Sequence, residues 1–99
     1  MNSEKILSLL GFASKAGKLS FGTHASTFAI EAKKAKLVLA AEDISEKSVK
    51  ELKFKADKQS IKVLILEGIK TADLSKRVGK SCGIVAVLDS GFADAINKL

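Results

Sequence analysis

The chain contains no proline, tryptophan or tyrosine, and only one cysteine, one histidine and one arginine. Each shortage excludes something. Without proline, the turns rely on Gly, Ser and Asp. A lone Cys82 cannot close an internal disulfide, which fits a reducing compartment. A lone His24 leaves no His-based metal site within one chain, and neither a metal nor a cofactor is expected. The only aromatics are five phenylalanines, so the stacking surfaces typical of single-strand binders are mostly missing. No apolar run approaches the ~20 residues that cross a bilayer, so no membrane partner is expected. The segment Met1-Asn2-Ser3-Glu4-Lys5 lacks the basic start and continuous apolar core of a signal peptide. The expectation is a cytoplasmic protein.

What the chain does have is a core and a positive charge. Its 99 residues suit one compact domain, spanning 1–99, and 46% of them are hydrophobic. Lysine and arginine number 17 against 11 acidic residues, for a net charge of +6. A basic balance in a small domain points toward nucleic acid. All but one of the basic residues are lysine, which favours phosphate contact over bidentate reading of bases. With few aromatics to stack on, a folded RNA is the better target than a single strand.

Apolar periodicity lays out the elements. Ile6, Leu9, Leu10, Ala13 and Ala16 recur at helical spacing, with Ser3 as N-cap and Gly17 as terminator. Residues 18–21 read as a short strand. Gly22 and Thr23 open a second helix whose apolar stripe is Ala25, Phe28, Ala29 and Ala32. Residues 36–41 (KLVLAA) read as a buried-type strand, and 61–66 (IKVLIL) and 83–88 (GIVAVL) as two further strands. Between them lie a helix with Val49, Leu52 and Ala56, begun by an Asp43–Glu46 capping box, and a short one capped by Thr71. Ser90 starts the last helix. Helices alternating with apolar strands predict a three-layer α/β/α sandwich, a four-stranded mixed sheet with about five helices. No linker, low-complexity segment or internal repeat interrupts it.

Three junctions carry the candidate chemistry. Gly22-Thr23-His24-Ala25-Ser26 combines a glycine that admits close approach to the backbone with two hydroxyls and a ring nitrogen. Its plainer reading is helix capping by Thr23. Glu42-Asp43 offers two carboxylates after a strand, best read as capping and dipole compensation. Gly79-Lys80-Ser81-Cys82-Gly83 looks like part of a phosphate loop but lacks the full motif, and a helix precedes it rather than follows. It reads as a basic loop, or as a plain connection with Gly79 at a helix C-cap. An enzyme built on His24, Asp43 and Cys82 has too few polar groups around it, and no catalysis is expected.

The segments LLGFASKAGKLSFG (9–22), AKLVLAAED (35–43) and LSKRVGKSCGIVAVLDSGFADAI (74–96) resemble the kink-turn-binding ribosomal protein superfamily, closest to its small bacterial YlxQ-like branch. The resemblance covers nearly the whole chain. It implies an α/β/α sandwich that binds a sharply bent RNA helix–bulge–helix. In that family the turn matching Gly22–Ser26 and its helix meet tandem sheared G·A pairs. The loop matching Lys80–Cys82 covers the bulged nucleotides, and the junction matching Glu42–Ser45 lies nearby. Gly22 keeps the family's glycine. His24 stands where better-known binders have Asn, Ala25 where they have Glu, and Phe28 where they have Lys. Losing one polar base contact costs about 1–3 kcal/mol of discrimination. Phe28 is read as core.

The resemblance and the charge together imply a small translation-associated, ribosomal-protein-like binder of structured, kink-turn-like RNA, monomeric. The expected contacts are Gly22, Thr23, His24, Ser26, Lys33, Lys36, Glu42, Asp43, Ser45, Lys80, Ser81 and Cys82. The alternative is a protein-interaction module on the same fold that has lost kink-turn recognition.

Overall fold

The computed structural model describes residues 2–99. Its elements follow in the order α1 (Ser3–Lys15), β1 (Leu19–Phe21), α2 (Gly22–Glu31), β2 (Leu37–Ala41), α3 (Glu46–Lys58), β3 (Val63–Leu66), α4 (Thr71–Val78), β4 (Ile84–Val87) and α5 (Ser90–Asn97). The four strands form one sheet in the order β1-β4-β2-β3. β2 and β3 run parallel, and β4 is antiparallel to both β1 and β2.

The two central strands explain why their sequences are apolar at every position. On β2, Leu37, Leu39 and Ala41 point into one core, while Val38 and Ala40 point into another. On β4, Val85 and Val87 join the first core, and Ile84 and Ala86 the second. A strand covered on both faces has no polar side to show. Ile6, Leu10, Leu74 and Ile96 bring α1, α4 and α5 onto the first face. Ala29, Ile30, Leu52 and Ala56 bring α2 and α3 onto the second. These three layers match the sandwich expected from the strand pattern.

The local start signals differ from those read in the sequence. Asn2, not Ser3, caps α1, accepting from the Lys5 N–H at 3.2 Å. Ser45, not Asp43, caps α3 through the Ser48 N–H. The N-cap of α2 is Phe21 rather than Thr23, and it gives no side-chain hydrogen bond. The apolar stripe of α2 is also displaced. Ser26, Ala29 and Ile30 face inward, while Ala25, Phe28 and Ala32 lie at the surface. Phe28 is 67% exposed, so it is not core. The reason is lateral packing: α3 sits beside α2 on the sheet and leaves the outer side of α2 uncovered.

Candidate nucleic-acid interface

Strand direction decides which junctions meet. Phe21 is level with Val85, Ala40 with Ile84, and Ala41 with Leu66. The ends of β1, β2 and β3 and the start of β4 therefore share one edge of the sheet. Residues 22–26, 42–45 and 79–83 leave from that edge and form one rim.

Backbone and side-chain bonds tie the rim together. The Ala41 N–H donates to the Gly83 carbonyl at 2.8 Å, and the Glu42 N–H to the Ile69 carbonyl at 2.8 Å. Gly83 sits at a close approach that a side chain could enter only by displacing Ile44 and Thr71. A Cβ there would lie 2.5 Å from Ile44 Cδ1 and 2.7 Å from Thr71 Oγ1. Ser75 Oγ clasps the loop, donating to the Cys82 carbonyl and accepting from the Cys82 N–H, both at 2.9 Å. Lys80 Nζ lies 5.3 Å from the Phe21 ring centroid, which joins the 79–83 loop to the β1–α2 turn.

The two carboxylates are occupied. Glu42 Oε1 accepts from the Gly68 N–H at 3.2 Å. Asp43 Oδ1 accepts from the Thr71 N–H at 2.9 Å and from Thr71 Oγ1 at 2.8 Å. Those hydrogen bonds from Thr71 hold the Asp43 carboxyl below the usual carboxylate range. Asp43 thus holds the first N–H of α4 from outside the helix, whose N-cap residue is Lys70. With Glu42 and Asp43 both exposed, this side of the rim is acidic.

The other side differs. Gly22 has φ +90, a conformation L side chains rarely adopt, and a Cβ built on it meets nothing within 4 Å. The start of α2 has neither a side-chain cap nor an acidic residue in its first turn. Its first N–H groups have no intrahelical partner, and the helix dipole leaves them electropositive. Thr23, His24, Lys80 and Ser81 are all exposed around it.

Several expected contacts are not on this surface. Ser26 is fully buried, and its Oγ has no hydrogen-bond partner among the described residues. Its hydroxyl faces the interior because helical rotation puts position 26 over the sheet with Ala29 and Ile30. Cys82 is 7% exposed and belongs to the α1 core, where burial pushes its thiol pKa up. A protonated, enclosed thiol is a poor nucleophile. Lys33 and Lys36 lie at the opposite end of the sheet. The ten residues of α2 carry the chain about 15 Å away from the rim, and the Lys36 N–H bonds the carbonyl of Val87, the last residue of β4. Arg77, the single arginine, is engaged with Glu4 at 2.9 Å and with Ser8, tying α4 to α1. Among the described residues no group of three or more His, Cys, Asp or Glu is placed to hold a metal ion. No described helix is long and apolar enough to cross a membrane.

Sequence reasoning missed Phe28 and Phe54 as surface groups. Phe54 is 63% exposed on α3, and Lys58 Nζ sits 4.4 Å from its ring centroid. Phe54 breaks the Lys-rich outer face of α3, which is the signal that marks it.

The family described as ribosomal protein L7Ae/L30e/S12e/Gadd45 matches residues 4–97. The chain belongs to that family. It is 34% identical over 99 residues to the RNA-binding protein YlxQ of Enterococcus faecium, covering 99% of this chain and 93% of that protein. A Bacillus halodurans protein of unknown function has the same fold with a TM-score of 0.88 and 27% identity, over 95% of this chain and 94% of the other. The 15.5 kD RNA-binding protein of Giardia lamblia superposes with a TM-score of 0.78 at 16% identity, over 97% of this chain and 82% of the other, a likeness of fold. As an L7Ae-family chain it is a non-enzymatic protein, and its rim is the surface to consider for a ligand.

Proposed function

We propose that this L7Ae-family protein binds structured RNA at the rim, and that its preferred shape is a kink-turn. The observation that carries the reading is the uncapped start of α2 at Gly22, flanked by Lys80, in a family chain similar to an RNA-binding protein. The Gly22 turn presents backbone N–H groups, and Thr23 and His24 present side-chain donors and acceptors. Lys80 meets a phosphate, and Ser81 completes the loop over the bend. Glu42, Asp43 and Ser45 act from behind, by holding α3 and α4 in place. Their charge keeps the phosphate backbone on the Lys80 side. Binding selects a bend that free RNA populates only in part.

Ala25 and Phe28 are both exposed, so neither offers a polar atom to a base edge where the resemblance places Glu and Lys. Recognition is therefore dominated by backbone contacts and charge. We place the protein in the cytoplasm, as a monomer, on a stable RNA of the translation machinery. The test is a mobility shift and salt titration on a kink-turn RNA and a straight duplex of equal length. Preference for the kink-turn is expected. Equal affinity for both defeats the kink-turn reading, and no binding at low salt defeats RNA binding altogether.

A further inference from the structure

The outer sides of α2 and α3 enclose a trough that starts at the rim and leads away from it. A hollow of about 650 Å³ lies between the two helices, beginning at the rim residues Thr23 and His24 and bounded by Phe28. A second, of about 320 Å³, contains Phe54 and Lys58 and shares Glu31 and Lys55 with the first. A third, of about 360 Å³, shares Gln59 with the second and ends at Lys33 and Lys36. The three form one path from the rim to the far end of the molecule.

Its lining has a distinct chemistry. Phe54, Lys55 and Lys58 line it from one side of α3, with Lys58 one turn after Phe54. Phe28 stands on α2, and Lys33 and Lys36 close the path. Lysines outnumber the two carboxylates in the walls, Glu31 and Glu51. Exposed aromatic rings spaced among lysines suit a polyanion that also has flat faces to stack. Protein segments have no regular charge of that kind, whereas single-stranded nucleic acid has one phosphate per base. Lys58 already sits over the Phe54 ring, so a phosphate beside it and a base on the ring are satisfied together.

We propose that the α2–α3 trough is a second RNA contact, which takes the single strand running out of a structured element docked at the rim. Unpaired bases stack on Phe28 and Phe54, and Lys55, Lys58, Lys33 and Lys36 meet the phosphates. This rests on the reading of RNA as the partner, and it extends the contact by the length of α3.

The test uses the full chain and three labelled RNAs followed by fluorescence anisotropy. One is a blunt kink-turn, one the same kink-turn with a uridine extension of about ten nucleotides, and one the free uridine strand. The extension is expected to tighten binding. Phe54→Ala, at an exposed position and without change of charge, is expected to weaken the extended RNA and the free strand at least fivefold, which corresponds to about 1 kcal/mol of lost stacking, and to leave the blunt RNA unchanged. Phe28→Ala provides a second reading. If the extension adds nothing, or if both variants bind it like the parent, the proposal is overturned and the trough is left to a protein partner. Should the free strand bind through Phe54 while the blunt RNA does not bind, kink-turn recognition falls, and with it the reading of the trough as the exit from a docked element; single-strand binding in the trough is then what remains. If no RNA binds at low salt, both fall.

Discussion

Ser26 and Phe28 exchange the roles that periodicity assigns them. Position 28 falls in an apolar series with Ala25, Ala29 and Ala32, which reads as a buried stripe. The structure turns α2 so that Ser26, Ala29 and Ile30 meet the sheet and Phe28 faces outward. Alanines are compatible with either side, so the series was too weak to fix rotation; Ile30, the one large aliphatic, marks the true inner face. Ser26 is consequently a buried hydroxyl without a partner among the described residues. An unsatisfied buried hydroxyl is a cost to folding, and replacing it by a methyl removes that cost. Ser26→Ala is therefore expected to leave RNA affinity unchanged and to raise stability by up to about 1 kcal/mol, read from urea unfolding and from the mobility shift. A loss of affinity with stability intact would return the hydroxyl to the interface.

At the scale of elements, strands were easy to read and caps were not. The runs at 37–41 and 84–87 are apolar at both parities because helices cover both faces of β2 and β4, and that information lies within each segment. The start of α4 is different. Its N-cap residue is Lys70, held locally by Asp73, but the first helical N–H, of Thr71, is taken by Asp43 from a junction 28 residues earlier, and no local pattern contains that pairing. Sequence pattern assigns Asp43 as the cap of the helix nearest to it, whereas Ser45 supplies that cap. The Asp43–Thr71 contact joins the β2–α3 junction to α4 and has a definite pH signature. Thr71 stabilises the charged carboxylate, so the folded protein lowers the Asp43 pKa relative to the unfolded chain. The folded state then binds fewer protons than the unfolded one as the group titrates, and stability rises with pH there. The contribution is complete above about pH 5 and is lost as the pH falls through the lowered value. Asp43→Asn is expected to lower stability at neutral pH and to converge with the parent in acid. Urea midpoints measured from pH 7 down to strong acid will show that convergence, and a constant difference across the series would separate Asp43 from this effect.

Across the whole molecule, charge is unevenly placed even though lysine is scattered through the sequence. Strand order is not legible in the chain; it is the strand register that brings the ends of the three junctions to one edge. The same register sends Lys33 and Lys36 to the other end, away from the Gly22 turn with which the sequence groups them as RNA contacts. A lysine that meets phosphate at the rim and one that does not are distinguished by the salt dependence of binding. Each phosphate neutralised releases counterions and adds just under one to the slope of log K against log salt. Lys80 sits on the rim against Phe21, whereas Lys15 ends α1 at the opposite end and on the other face of the sheet. Lys80→Gln is expected to weaken binding of a blunt kink-turn RNA and to reduce that slope by about one. Lys15→Gln changes net charge equally and is expected to leave the slope where it was. Equal effects from the two substitutions would mean that the RNA responds to the total charge of the protein and not to the rim. In that case the arrangement of Gly22, His24 and Lys80 would have no part in binding.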